Sequence, residues 1–171
     1  MNLGDNQAPT LPILLEGRFT GPSEFSALIR QAFANAAAHG WREIILSDSS
    51  FEDWPLGERG VAQSLNDWSR SGRRLTMLAK SYDEVVRRHA RFVTWRRAWA
   101  HIVDCRKNVV LPADDLPSAL WSPAWVFQRL DLARSTGIAG SEPSRRVMLK
   151  ERLDECFRKS SPAFPATTLG I

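Results

Sequence analysis

Arginine, histidine and tryptophan side chains are concentrated in residues 87–106, and these residue types suit the recognition of phosphate. An arginine guanidinium hydrogen-bonds phosphate oxygens, while tryptophan or arginine can stack on a nucleic-acid base. We therefore select as candidate anion-binding residues Arg87, Arg88, His89, Arg91 and Arg106. The same pattern is typical of an amphipathic helix with a solvated basic face and a tryptophan-rich core face, and both interpretations stay open.

Three further residues, Asp48, Lys80 and His101, are candidates for the edge of a ligand pocket. Asp48 ends a predicted buried strand, and open α/β sheets bind ligands outside the carboxyl ends of their strands. Lys80 ends the next predicted strand, directly before the arginine-rich stretch. Structural roles compete with ligand binding here, because an aspartate at a strand end also caps the following turn.

No sequence pattern supplies a recognised catalytic or metal site. Cys105 and Cys156 lie far apart and form no CxxC or Cys/His spacing, so zinc is not indicated. The chain contains no GxGxxG or GxxxxGK[ST] loop, no GxSxG elbow, no HExxH pair and no EF-hand loop. On this basis we assign no catalytic residue, no metal ligand and no cofactor.

The charge composition permits a polyanionic partner without requiring one. The 171 residues carry a formal net charge of +4, and of the 23 basic side chains only four are lysines. Arginine favours planar, bidentate recognition of phosphate or carboxylate, although ordinary surface ion pairs explain the same bias. Nucleic acid and phosphorylated ligands are therefore candidate partners. The sequence shows no signal peptide and no membrane span, so we expect a cytoplasmic protein.

The elements that must position these residues begin with a strand–helix–strand unit in residues 41–80. Residues 43–48 and 73–80 are short, nearly continuous apolar segments. The helix between them, residues 58–71, places Val61, Leu65 and Trp68 on one stripe. Two such strands joined by a helix are typical of parallel strands that are buried on both faces. This unit predicts an α/β domain.

The remaining elements extend this unit into a mixed, largely parallel sheet of five or six strands flanked by helices. Further strands are predicted at 11–17, 102–105, 108–111 and 125–130, and helices at 22–39, 83–102 (bent near His89) and 143–159. The last helix is expected to bury Val147 together with Leu149 and Leu153. Residues 112–122 are predicted to be a loop and residues 136–142 an exposed glycine-rich segment. We expect a flexible arm at 1–9 and a single domain over 10–171.

Two phrases, GRRLTMLAKSYDEVVRRHARFVTWRRAWAHIVDCR and FRKSSPAFPATTLGI, and the order of elements make the chain resemble a family of small, uncharacterised bacterial proteins. That family looks like a single phospholipase D-like half domain, so the resemblance implies this fold. Members of the superfamily use HxKxxxxD motifs, in which the histidine attacks phosphorus and the lysine holds the phosphate. The motif is absent here, and its nearest approach is His89 with Arg91. The resemblance therefore argues against the superfamily's hydrolysis.

Two hypotheses for the function follow. The first is a non-catalytic binding or assembly protein, because catalytic patterns are missing and the apolar tail, residues 160–171, either docks along the domain or joins two copies of the chain. A homodimer is the expected assembly. The alternative is a phosphate-directed enzyme or a nucleic-acid-binding protein that uses the arginine-rich stretch 87–106.

Overall fold

The computed structural model describes residues 11–166, in which eight strands form one sheet with helices on both faces. The predicted arm at 1–9 lies outside the described residues. In chain order the elements are β1 (Gly17–Phe19), α1 (Pro22–His39), β2 (Glu43–Ser47), α2 (Arg59–Ser69), β3 (Arg74–Ala79), α3 (Asp83–Arg88), α4 (Ala90–Ala98), β4 (Val103–Lys107), β5 (Ser118–Trp121), β6 (Val126–Asp131), β7 (Thr136–Gly140), α5 (Pro143–Arg158) and β8 (Ser161–Pro162).

The strand–helix–strand unit predicted in residues 41–80 is confirmed. Strands β2 and β3 pair in parallel, with Ile44 opposite Leu75 and Leu46 opposite Met77, and α2 makes the crossover between them. Strand β4 continues the parallel arrangement on the far side of β3. These three strands form the parallel half of the sheet, because each one follows a helix that returns the chain to the same edge.

The prediction of a largely parallel sheet of five or six strands is wrong. The sheet has eight strands in the order β1-β7-β6-β5-β2-β3-β4-β8, and only the β2–β3 and β3–β4 pairs are parallel. Two antiparallel strands were not predicted. Strand β5 lies in the predicted loop 112–122, and β7 lies in the predicted exposed glycine-rich segment 136–142. The glycines of β7 are turn signals in sequence, but in the sheet Gly137 and Gly140 are buried between neighbouring strands.

Two other predicted strands also differ from the structure. Strand β1 begins at Gly17, where the predicted 11–17 strand ends, and pairs with β7. The predicted 108–111 strand is a loop instead. The side-chain oxygen of Asn108 accepts hydrogen bonds from the amides of Val110 and Leu111, at 3.1 and 3.0 Å. This local turn satisfies backbone amides that a strand would have used in a ladder.

Apolar side chains on both faces of the central strands build two cores. On β3, Leu75 and Met77 point to the core under α1, α2 and α4, whereas Leu78 points to a smaller core under α5. This alternation follows the two-residue period of a strand. Among the largest fully buried side chains are the indoles of Trp54, Trp68, Trp95 and Trp125.

The helices lie close to their predicted positions, but one side chain predicted to be buried is exposed. The predicted bend is confirmed, since the 83–102 segment breaks into α3 and α4 at His89, whose backbone is not helical. Helix α5 buries Leu149 and Leu153, but Val147 is 56% exposed because it lies on the outer face of that helix. No helix within residues 11–166 is long and apolar enough to cross a membrane.

We expect Gly137→Ala to lower the free energy of unfolding by about 1–3 kcal/mol, the usual range for overpacking. A β-carbon at this position would overlap the Gln128 carbonyl oxygen and lie 2.6 Å from Cζ of Phe19. Gly60→Ala is the matched control, because nothing lies near its β-carbon position and alanine favours the helix by about 0.5–1 kcal/mol. Urea unfolding measures both variants, and an unchanged midpoint for Gly137→Ala would contradict the close packing of β7.

Candidate functional site

The arginines of α3 are exposed but already neutralised. Arg87 and Arg88 both pair with Glu84, at 3.1 and 2.7 Å, one helical turn away. Arg88 also reaches Glu52 in the loop after β2, at 3.0 Å. Side chains three and four residues apart face each other on a helix, so the pairing with Glu84 is local, whereas the pairing with Glu52 depends on the tertiary structure. The two arginines therefore offer less free positive charge than their number in the sequence indicates.

His89 and Arg91 hold the break between α3 and α4 against the loop of residues 51–57. His89 is buried, and its Nε2 lies 2.8 Å from the carbonyl oxygen of Phe51. Arg91 donates from Nη1 to the carbonyl oxygen of Gly57, at 2.9 Å. Both predicted site residues thus make contacts to the backbone of one loop.

The structure does not bring Arg106, Lys80 and His101 together with the arginines of α3. Arg106 points to the α5 side of the sheet, where it pairs with Asp104 at 3.1 Å and covers the ring of Phe157 at 4.5 Å. Lys80 donates to the carbonyl oxygen of Leu111. His101 is exposed and lies against Trp99, with 5.8 Å between the ring centroids and the ring planes tilted by 35°.

Asp48 lies at the carboxyl end of β2, as predicted, and is a structural residue there. Its Oδ2 accepts hydrogen bonds from the backbone amides of Ser50 and Phe51, at 3.1 and 2.7 Å, and so caps the turn after the strand. Its Oδ1 accepts a hydrogen bond from Arg129 at 3.1 Å. A carboxylate with three such partners is held in one orientation.

Arg129 is a buried, ion-paired arginine that the sequence patterns did not select as a site residue. It lies on β6, only 3% of its side chain is exposed, and it pairs with Asp48 and with Asp53 at 3.1 and 2.5 Å. Its Nε donates to Ser118 on β5 at 3.1 Å, and its guanidinium covers the ring of Phe25 at 4.1 Å. A signal was present, because Arg129 shares the strand face of the buried residues Trp125 and Phe127.

A cavity of about 330 Å3 opens beside this ion pair, where β2 has a parallel neighbour on one side and an antiparallel neighbour on the other. Its lining includes the carboxylates of Asp48, Glu52 and Asp53 and the guanidinium groups of Arg88 and Arg129. Both arginines are ion-paired within this lining. An anionic ligand would have to displace a carboxylate. Within residues 11–166, no group of three or more His, Cys, Asp or Glu side chains is placed to hold a metal ion.

Positively charged side chains lie at the amino-terminal ends of β2, β3 and β4, at the end of the parallel half that is opposite the cavity. Arg42 precedes β2, Arg73 precedes β3 and His101 precedes β4. The amide of Arg73 donates to the carbonyl of Arg42 at 2.9 Å, and the amide of Leu75 donates to the carbonyl of Ile102 at 2.8 Å, so the three strand starts are adjacent. Neighbouring strands are about 4.8 Å apart, which places these side chains along one short line.

Two helix ends add to this edge. Arg70 follows the last residue of α2, and Arg97 lies in the last turn of α4. The two helix ends are neighbours, because Nε1 of Trp99, just after α4, donates a hydrogen bond to Oδ1 of Asn66 on α2 at 3.4 Å. We call the following set the basic edge: Arg42, Arg70, Arg73, Arg97 and His101. All five are exposed, and among residues 11–166 none of its arginines lies within 4.0 Å of a carboxylate oxygen.

We expect Arg129→Met to lower the free energy of unfolding by about 3–5 kcal/mol, because Asp48 would keep a buried charge without its cation. Arg30→Met is the control, since Arg30 pairs with Glu58 on the surface and such pairs contribute about 0–1 kcal/mol. Denaturant titration compares the two variants. Equal losses for Arg129→Met and Arg30→Met would show that the buried pair does not hold the sheet.

Comparison with known proteins finds similarity at the level of the fold. No protein-family model matches the sequence, and no curated protein matches it. Among solved structures, the chain is similar to TrmBL2, an archaeal chromatin protein whose structure shows a novel mode of DNA binding. The TM-score is 0.61 at 16% identity, over 94% of this chain and 57% of that one. The chain thus spans little more than half of TrmBL2, and at this identity the likeness shows a shared fold.

Proposed function

We propose that this protein is a non-catalytic, cytoplasmic nucleic-acid-binding protein that holds phosphates on its basic edge. The observation that carries the proposal is that four exposed arginines cluster on the basic edge and that none of these four has a carboxylate partner among residues 11–166. Within the arginine-rich stretch that suggested the same function in sequence, the α3 part is a weaker candidate, since Arg87 and Arg88 pair with Glu84 and Glu52.

Adjacent like charges explain why a polyanion would bind the basic edge. Arg42 and Arg73 precede neighbouring parallel strands, so their positive charges repel each other unless an anion lies between them. A nucleic-acid backbone supplies closely spaced phosphates, and its binding releases condensed counterions. Trp99 and His101 form an aromatic pair at the same edge, on which an unpaired base could stack.

The likeness to TrmBL2 supports nucleic acid as the ligand class to test first. That protein binds DNA, and its fold resembles this one over most of the present chain. The phospholipase D-like fold, implied by the sequence resemblance, remains part of the proposal. So does the homodimer, which sedimentation of the intact chain would test.

The environments of two histidines support a non-catalytic role. The superfamily's covalent route needs a histidine nucleophile next to a phosphate-holding lysine. His89 is buried with its Nε2 at 2.8 Å from the Phe51 carbonyl oxygen, and His101 contacts Trp99 and does not line the cavity beside Arg129. We propose that the chain binds phosphates and does not cleave them.

Arg42→Ala with Arg73→Ala is expected to weaken nucleic-acid binding and to flatten its salt dependence. Removing one arginine from a phosphate should reduce the slope of log affinity against log salt by about 0.9 for a duplex, hence about 1.8 for the double variant. Fluorescence anisotropy with a labelled duplex and a labelled single strand, between about 50 and 200 mM salt, measures this slope.

Arg87→Ala with Arg88→Ala is the matched control, because it removes the same charge from arginines that are already paired. We expect its salt slope to stay within error of the unmodified protein. A larger effect from this control than from the double variant of the basic edge would move the interface to the arginines of α3. Absence of binding at the lowest salt concentration would overturn the proposed function itself.

A further inference from the structure

Arg96 is a buried arginine whose hydrogen-bonding groups are mostly unused. It lies on α4 beneath residues 160–166, which we call the C-terminal strap, and it is 7% exposed. Its Nη2 donates to the carbonyl oxygen of Phe164 at 3.2 Å, and its guanidinium lies 6.0 Å from the ring of that residue. Its Nε and Nη1 atoms are buried and have no hydrogen-bond partner in the described part of the chain.

The groups that surround Arg96 do not balance its charge. Burial raises the pKa of the Cys105 thiol to about 12 and raises the pKa of Tyr82 far above its usual range, so both are neutral near pH 7. Asp104, the neighbour of Cys105 on β4, pairs with Arg74 and Arg106 instead. Arg96 is therefore a buried cation without a counter-anion among residues 11–166.

Such an arrangement is unfavourable unless something compensates for it. A buried charge without a partner loses its hydration, and each unmatched N–H adds the loss of a hydrogen bond. Nε carries one N–H and Nη1 carries two, so three donors are unmatched. Guanidinium groups bind oxyanions through short, charge-assisted hydrogen bonds, which would recover this loss.

The cover over Arg96 is lightly held. Strand β8 pairs only two residues with β4, and both Ser161 and Pro162 are exposed. Phe164 stacks on Tyr82 at 5.1 Å, but its backbone φ of 48° lies in the left-handed region, which is unfavourable for a bulky residue. The amide of Ala163 also donates to the carbonyl oxygen of Cys105 at 2.9 Å, and Ala163 and Phe164 pack against the main core. Displacing the C-terminal strap would break these contacts and would expose the unmatched N–H groups.

We propose that Arg96 forms an anion-binding site that becomes accessible when the C-terminal strap is displaced, and that its ligand presents a small oxyanion, a phosphate or a carboxylate group. The bound oxyanion accepts hydrogen bonds from Nε and Nη1 and takes the place of Phe164 against the guanidinium. This site is separate from the basic edge and does not depend on the proposed function.

Inorganic phosphate and sodium acetate are the two probes, each compared with sodium chloride at equal ionic strength. An oxyanion at about ten times its dissociation constant should raise the melting temperature of the unmodified protein by roughly 3–6 °C. Arg96→Met should abolish this rise, whereas the control Arg91→Met, on the same helix, should retain it. A response to phosphate alone identifies phosphate groups as the ligand class, and a response to acetate alone identifies carboxylates.

Trypsin cleavage after Lys159 supplies a second measurement on the unmodified protein. Because the bound oxyanion keeps the C-terminal strap displaced, the effective probe should accelerate cleavage at this position relative to chloride. Phe164→Ala should bind the probe more tightly, since it removes the ring that covers the guanidinium of Arg96 and that stacks on Tyr82. Equal melting responses of the unmodified protein and Arg96→Met, or cleavage that neither anion accelerates, would overturn the proposal and leave Arg96 hydrated by water only.

Discussion

The buried ion pair between Arg129 and Asp48 joins the two halves of the sheet. Arg129 belongs to the antiparallel half, on β6, and Asp48 ends β2 of the parallel half. Because a buried guanidinium needs carboxylate and hydrogen-bond partners, the turn after β2 and the position of Ser118 on β5 are constrained together. The cavity at this edge is consequently lined by charges that already serve the fold.

The position of each arginine in the fold, more than the number of arginines, decides which of them can meet a ligand. In α3 the acidic residue Glu84 lies one turn from Arg87 and Arg88 and pairs with both, and Glu52 in the loop after β2 gives Arg88 a second carboxylate. At the basic edge, parallel strands place the residues before each strand side by side. Arg42 and Arg73 are neighbours for this reason, although 30 residues separate them in sequence.

The antiparallel half shows why local patterns predicted too few strands. Turn residues such as Pro117 and Gly137 normally interrupt strands, and here they border or occupy β5 and β7. Gly137 is required because its neighbours on β1 and β6 approach too closely for a side chain. How closely two strands approach depends on which strands pair, and the local sequence of one segment does not specify its pairing partners.

The sequence by itself determined the strand–helix–strand unit, the break at His89 and the turn-capping position of Asp48, because these depend on residue periodicity and on groups a few residues apart. Only the tertiary structure decided that Arg129 meets Asp48 across 81 residues of chain, that Glu52 neutralises Arg88 and that Arg106 faces α5. Periodicity indicates how deeply a side chain is buried. Its ionic partner depends on which distant elements become neighbours in the folded chain.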